Sequence, residues 1–181
     1  MIEWPFFAYD GLRDVLTGRT DFHDDADEGN AMKSKNLKTL INWYPPYWGT
    51  GIRVTHISED YREVTVTMKL RFYNRNYVNT HFGGSLYAMI DPFYMLMLMH
   101  VLGRDYIVWD KAATIEFLSP ARGTISAHFM IDDQIIEEIE KNTAAGEKYL
   151  PQLLIDITDG NGTVVARASK TLYIRRKNRL E

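Results

Sequence analysis

The sequence predicts an α+β fold in which an antiparallel sheet of about six strands wraps around one apolar helix. Several segments alternate apolar and polar residues, as strands with one buried face do. Residues 83–102, by contrast, are apolar nearly all round, which indicates a helix that is buried on every side. A sheet that curves around this helix satisfies both patterns.

The composition is that of one ordinary globular domain. The chain has 181 residues, 45% of them hydrophobic and 13% aromatic, which is enough for one full-sized core. Its net charge of −3 gives no attraction to nucleic acid or to an anionic membrane. The sequence contains no cysteine, which excludes disulfides, thiolate metal sites and a cysteine nucleophile, and which suits a reducing, cytoplasmic environment.

The elements follow in order along the chain. Residues 1–32 are irregular in pattern, and we interpret them as an N-terminal extension before a single domain over residues 33–181. A short amphipathic helix then ends at Pro45-Pro46, and residues 132–148 have helical spacing. The predicted strands cover residues 51–58, 62–72, 107–118, 124–131, 153–158 and 163–176.

The apolar run over residues 83–102 carries a single acid, Asp91, followed by Pro92. This pair divides the run into pieces shorter than the ~18–20 residues of a membrane-spanning helix, so we expect a core helix. Burying a carboxylate is costly unless it is paired. Asp91 therefore either belongs to the local structure, as the N-cap of a helix restarted at Pro92, or has a chemical role.

A frame of the form N-x5-F-G-G-x6-D surrounds this acid, with Asn76, Phe82, Gly83, Gly84 and Asp91 at its fixed positions. Together with the later SPARG turn and DGNG hairpin, the frame resembles the hotdog-fold acyl-thioester hydrolases. The branch related to phenylacetyl-CoA thioesterase is similar, and an uncharacterised thioesterase-like branch resembles the chain more closely. The resemblance covers roughly residues 34–177.

The resemblance implies a homo-oligomer, a dimer or a dimer of dimers, that hydrolyses acyl-CoA or a related thioester without a cofactor. Its active site would form between two subunits. By position, Asp91 would be the general base or nucleophile and Asn76 would orient the substrate. The amides of Gly83 and Gly84 would face the thioester oxygen.

The chain differs from the family pattern at two places. Phe82 stands where the branch usually has a histidine, and His81 either substitutes for that histidine or lies in a surface loop. Asp110 stands where some relatives have Ser or Thr on the third strand. We add these three residues, and Tyr87 on the apolar helix, to the predicted substrate-binding set.

Other interpretations of the same residues stay open. The two glycines could simply fit a tight junction, and Asn76 could stabilise a turn through its own backbone. The protein could be a non-catalytic binder of acyl ligands, or a hydratase, although the Asp/His motif typical of hydratases is not visible. The five histidines have no metal-ligand spacing, so no metal is predicted.

Overall fold

The computed structural model describes residues 33–177. The helices in this range are α1 (Ser34–Asn42), α2 (Pro45–Thr50), α3 (Gly83–Ala88), α4 (Phe93–Leu102) and α5 (Asp133–Thr143). The strands are β1 (Ile52–Ile57), β2 (Glu63–Lys69), β3 (Tyr106–Phe117), β4 (Thr124–Met130), β5 (Lys148–Tyr149), β6 (Gln152–Asp159) and β7 (Val164–Arg176). The predicted extension at residues 1–32 lies outside the described residues, and its boundary stays a prediction.

All strands join one antiparallel sheet in the order β1-β2-β4-β6-β7-β3, with the short β5 on β7. The six predicted strands are found, and the alternation of β2 buries Val64, Val66 and Met68 on one face. The seventh strand, β5, has two residues and is too short to show any alternation. Strand β3, at one end of the sheet, is paired along its whole length with the C-terminal strand β7.

Helix α4 forms the centre of the core. The Phe93 ring lies 5.1 Å from the ring of Phe129 on β4, and Met97 and Leu98 are also buried. By length and composition, the segment Gly83–Leu102 could cross a membrane. Its contacts with the sheet are those of a core helix, as the sequence predicts.

The central helix is interrupted between α3 and α4. Pro92 has no N–H to donate to the carbonyl of Ala88, and the buried Tyr47 hydroxyl donates to that carbonyl instead, at 3.3 Å. Pro92 is itself the N-cap of α4, and no side chain in the described part of the chain makes a capping bond there. Of the two interpretations of Asp91 that the sequence leaves open, the N-cap of this helix is therefore wrong.

The two prolines after α1 also do more than end a helix. Helix α1 ends at Asn42, and Pro45 then begins the short helix α2, because proline is favoured in the first turn of a helix. This second helix, which the sequence did not predict, places Tyr47 against the break in the central helix.

Candidate active site

Three polar side chains meet at the break in the central helix. The ammonium of Lys170, on β7, is fully buried and donates to the Asp91 backbone carbonyl at 2.7 Å. It also lies 3.1 Å from Asp91 Oδ1 and 3.1 Å from Asp110 Oδ2. A lysine ammonium has three N–H donors, so each one has an oxygen to bind.

The strand pattern explains why a lysine is buried at this position. On β7, every second residue faces the core, and Lys170 shares that phase with Ala168 and Leu172. A buried ammonium requires paired charges, and the two carboxylates supply them. On the neighbouring strand β3, a bulge lies between Asp110 and Ala112. Asp110 lies before this bulge and pairs with the buried Leu172, so the alternation of β3 itself turns its carboxylate inward.

The two carboxylates lie in different environments. The Asp91 side chain is 48% exposed, whereas the Asp110 side chain is 24% exposed. Asp110 Oδ1 is buried and has no hydrogen-bond partner among residues 33–177. Burial raises the pKa of Asp110, and the nearby ammonium of Lys170 offsets part of this effect.

Two tyrosines complete the surroundings of Asp91. The Tyr87 ring lies 5.8 Å from the Lys170 ammonium, and burial together with the charge of Asp91 raises the pKa of Tyr87. Burial and, secondarily, Asp91 also raise the pKa of Tyr47, which keeps its hydroxyl a neutral donor. We call Asp91, Asp110, Lys170 and Tyr87 the Asp91 cluster.

A cavity of about 570 Å³ lies at the other end of helix α3. Its walls include Asn76, His81 and Gly83, together with the segment 117–122. The Phe117 ring approaches Gly83 so closely that a Cβ there would lie 3.0 Å from it. A side chain at this position would require the exposed Phe117 ring to shift by a few tenths of an ångström.

Phe82 lies at the start of helix α3 and is exposed. Its ring covers Gly84, where a Cβ would lie 2.5 Å from the ring. Two aromatic rings thus lie against the first turn of this helix, where backbone N–H groups have no helical partner.

His81 is buried, so of its two interpretations the surface-loop histidine is wrong. Its Nε2 lies 3.0 Å from the carbonyl of Gly123 and donates to it. Its Nδ1 is buried and has no hydrogen-bond partner in the described part of the chain. Burial lowers the pKa of His81, which keeps the ring neutral.

The side chain of Asn76 is occupied within its own loop. Its Nδ2 donates to the Thr80 hydroxyl at 2.8 Å, and its Oδ1 accepts from the N–H groups of Val78 and Thr80. This is the turn-stabilising arrangement that the sequence left open for Asn76.

The predicted site residues therefore fall into two groups. Asp91, Asp110 and Tyr87 meet at the helix break, whereas none of them is among the residues that line the cavity. The sequence missed Lys170, although its position in the apolar phase of β7 was the signal that could have found it. Among residues 33–177, no three His, Cys, Asp or Glu side chains are arranged to hold a metal ion.

Comparison with known proteins identifies the family. Residues 33–174 match the family model described as Domain of unknown function (DUF4442). The chain belongs to the DUF4442 family. No curated protein matches this DUF4442 chain in sequence.

Solved structures similar to this DUF4442 protein confirm the predicted hotdog fold. A probable thioesterase of unknown function from Pseudomonas aeruginosa has a TM-score of 0.68 at 20% identity, covering 79% of this chain and 95% of its own. A thioesterase from Haemophilus influenzae has a TM-score of 0.58 at 17% identity, covering 84% and 95%. The E. coli PaaI protein of the phenylacetic acid degradation operon has a TM-score of 0.51 at 16% identity, covering 80% and 92%.

Proposed function

We propose that this DUF4442 protein hydrolyses acyl thioesters, with acyl-CoA as the expected substrate. The observation that carries the proposal is the placement of Asp91. Its carboxylate is half-exposed at a break in the central helix, while a buried lysine binds both its side chain and its backbone. A carboxylate that is fixed in orientation and open to water is suited to act as a general base.

In the proposed reaction, Asp91 takes a proton from water as the oxygen attacks the thioester carbonyl. The carbon–sulfur bond then breaks, and the leaving thiolate takes up the proton from Asp91. The N–H groups at Gly83 and Gly84 are the proposed donors to the developing oxyanion. The Asn76 side chain is already bonded, so we assign it to shaping the loop before Gly83.

We further propose that the site forms between two copies of the chain. Within one chain, Asp91 does not line the cavity that contains Gly83, so a second copy would supply the other half. The outer edge of β3 supports this arrangement, because among the described strands β3 pairs only with β7. Exposed aromatic rings lie near this edge and the cavity, including Phe82 and Phe117. A cytoplasmic location of the assembly is part of the same proposal.

Replacement of Asp91 by Asn tests the function. A general base contributes about 10²–10⁴-fold, so we expect kcat to fall by at least about 100-fold. Asparagine keeps the backbone carbonyl and one side-chain oxygen for Lys170, and the Asp110 carboxylate still pairs with this buried ammonium. The thermal midpoint should therefore change little. Because the chain has no cysteine, a thiol reagent detects only the released coenzyme A.

The matched control is Asp156→Asn, which removes an acid from the exposed pair that Asp156 forms with Arg167. This variant should hydrolyse a panel of acyl-CoA thioesters at the wild-type rate. Retained turnover in Asp91→Asn with a large loss of folding stability would instead assign Asp91 a structural role.

A second candidate function is the binding of acyl ligands without hydrolysis. The two aromatic rings against Gly83 and Gly84 favour it, because they place apolar surface beside the first turn of helix α3. Calorimetric titration with the same acyl-CoA panel separates the two functions. Tight binding without release of a thiol would support the binder.

A further inference from the structure

The Lys170 ammonium holds Asp91 at two points. One bond goes to the backbone carbonyl, which in an unbroken helix would accept from the N–H four residues later, and another goes to the carboxylate. Two attachments to one residue fix both the position of its backbone and the direction of its side chain. The exposed side of the carboxylate is thereby left facing solvent.

The fold alone gives little reason for this cation. Replacing a buried ion pair with well-packed apolar residues is often neutral or stabilising, because desolvation opposes the attraction between the charges. The neighbours of Lys170 in the same phase of β7 are apolar, so an apolar side chain would continue the pattern. The charge is therefore better explained by what it does to Asp91.

We propose that Lys170 is a positioning residue, which holds the Asp91 carboxylate in a fixed orientation while Asp110 binds the same ammonium. Three elements besides β7 carry the titratable groups that face this ammonium and carboxylate. Asp110 comes from β3, Tyr87 from α3 and Tyr47 from α2. The kinetic test below rests on the proposed hydrolysis, whereas the spectroscopic test does not.

The kinetic test compares Lys170→Met with wild type. Loss of the cation leaves two carboxylates facing each other, so the acidic limb of the kcat/KM profile should move to higher pH. Loss of orientation should lower kcat by about tenfold or more, with KM changed less than about threefold. A residue that acted only in folding would lower the thermal midpoint without moving the pH profile.

Two further variants keep the test decisive if Lys170→Met folds poorly. In Asp110→Asn, Lys170 is retained and interacts with only one carboxylate, that of Asp91. The acidic limb of the kcat/KM profile should therefore move to lower pH. In Lys170→Met combined with Asp110→Asn, the second carboxylate is gone and the limb should return toward the wild-type position. The control is Arg167→Met, which removes an exposed cation from the same strand and should leave the profile unchanged.

The spectroscopic test follows the Asp110 carboxyl by NMR in protein labelled with ¹³C-aspartate, assigned as the signal that Asp110→Asn lacks. Lys170 holds the pKa of Asp110 down against burial, so this carboxyl should titrate at higher pH in Lys170→Met. Absence of thiol release from wild type would refute the proposed hydrolysis, and the NMR result would still decide how Lys170 acts on its carboxylates. An unchanged Asp110 titration, or an unchanged pH profile in an active enzyme, would overturn the assignment of Lys170.

Discussion

Replacement of Asp110 by Asn tests whether burial or the ion pair with Lys170 dominates the energy of this carboxylate. Asp110 Oδ2 lies 3.1 Å from Lys170 Nζ, whereas Oδ1 is buried without a hydrogen-bond partner among residues 33–177. Asparagine keeps the shape of the side chain and an oxygen to face Lys170. An unpaired buried oxygen costs about 1–3 kcal/mol, and a hydrogen bond to a charged group contributes about 1.5–3 kcal/mol. These effects nearly cancel at a single pH, so the trend with pH is diagnostic.

The sign of that trend follows from the raised pKa of Asp110. Burial is the largest cause and raises the pKa above its ordinary value of 3.8, so the folded protein binds this proton more tightly than the unfolded chain does. The contribution of Asp110 to stability therefore falls as pH rises from 3.8 to the folded-state pKa, and is constant above it. One proton limits the slope to about 1.36 kcal/mol per pH unit. The asparagine side chain of the variant does not titrate, so the wild type should lose stability relative to Asp110→Asn across this window.

Urea unfolding followed by tryptophan fluorescence from pH 3 to pH 8 measures the difference between the two proteins. Asp156→Asn is the control of opposite sign, because the hydrogen bond from Arg167 lowers the pKa of Asp156. Wild type should gain stability over that variant as pH rises toward 3.8. If wild type instead gained stability over Asp110→Asn between pH 4 and pH 7, attraction to Lys170 would outweigh burial and our reasoning would be refuted.

Two further predictions concern the cavity end of helix α3. In Gly84→Ala the new Cβ would lie 2.5 Å from the Phe82 ring, so the rate of thiol release should fall. Adding Phe82→Ala removes the ring and should restore the rate. A double variant as slow as Gly84→Ala would show that the backbone, and not the Phe82 ring, hinders the new side chain. Burial lowers the pKa of His81 below 6.5, so the unfolded chain takes up this proton first and stability falls as pH drops below 6.5. His81→Gln should remove up to about 1.36 kcal/mol per pH unit of this slope, measured by urea unfolding. The matched comparison is His100→Gln, because burial also lowers the pKa of His100. If the dependence of stability on pH were unchanged in His81→Gln, the prediction would be contradicted.

The fold could be predicted because the spacing of apolar residues in the sequence shows which faces of each element are buried. The alternation of β2 and the uniformly apolar segment 83–102 each require one type of environment, and the sheet around a central helix provides both. The break in the helix was visible as Asp91-Pro92. Its stabilisation was not, because Tyr47 and Lys170 reach it from residues far away in sequence.

The site was harder to predict than the fold. The sequence singled out Asp91 because an acid stands alone in an apolar run. Lys170 stands in a run of three polar residues (169–171), so its place in the apolar phase of β7 is visible only when every second residue is compared. Asp110 shares the inward phase of Val108, but the bulge that follows it moves Ile115 into the other phase, so the alternation of β3 is broken in the sequence. For Asn76 and His81, the residue types allowed several roles, and only the hydrogen bonds and burial separate them.

The pairing of β3 with β7 has a consequence for how the protein is made. Strand β3 ends at Phe117, but its partner β7 is completed only at Arg176, so during synthesis β3 has no neighbour until nearly all of the described chain has emerged. Long-range pairings of this kind form slowly and leave strand edges open to association with other chains. Strand β7 also carries Lys170, so Asp91 and Asp110 lack their cation in any chain that ends before this strand. A chain truncated before β7 would thus leave β3 without its partner strand and would lack the lysine of the candidate active site.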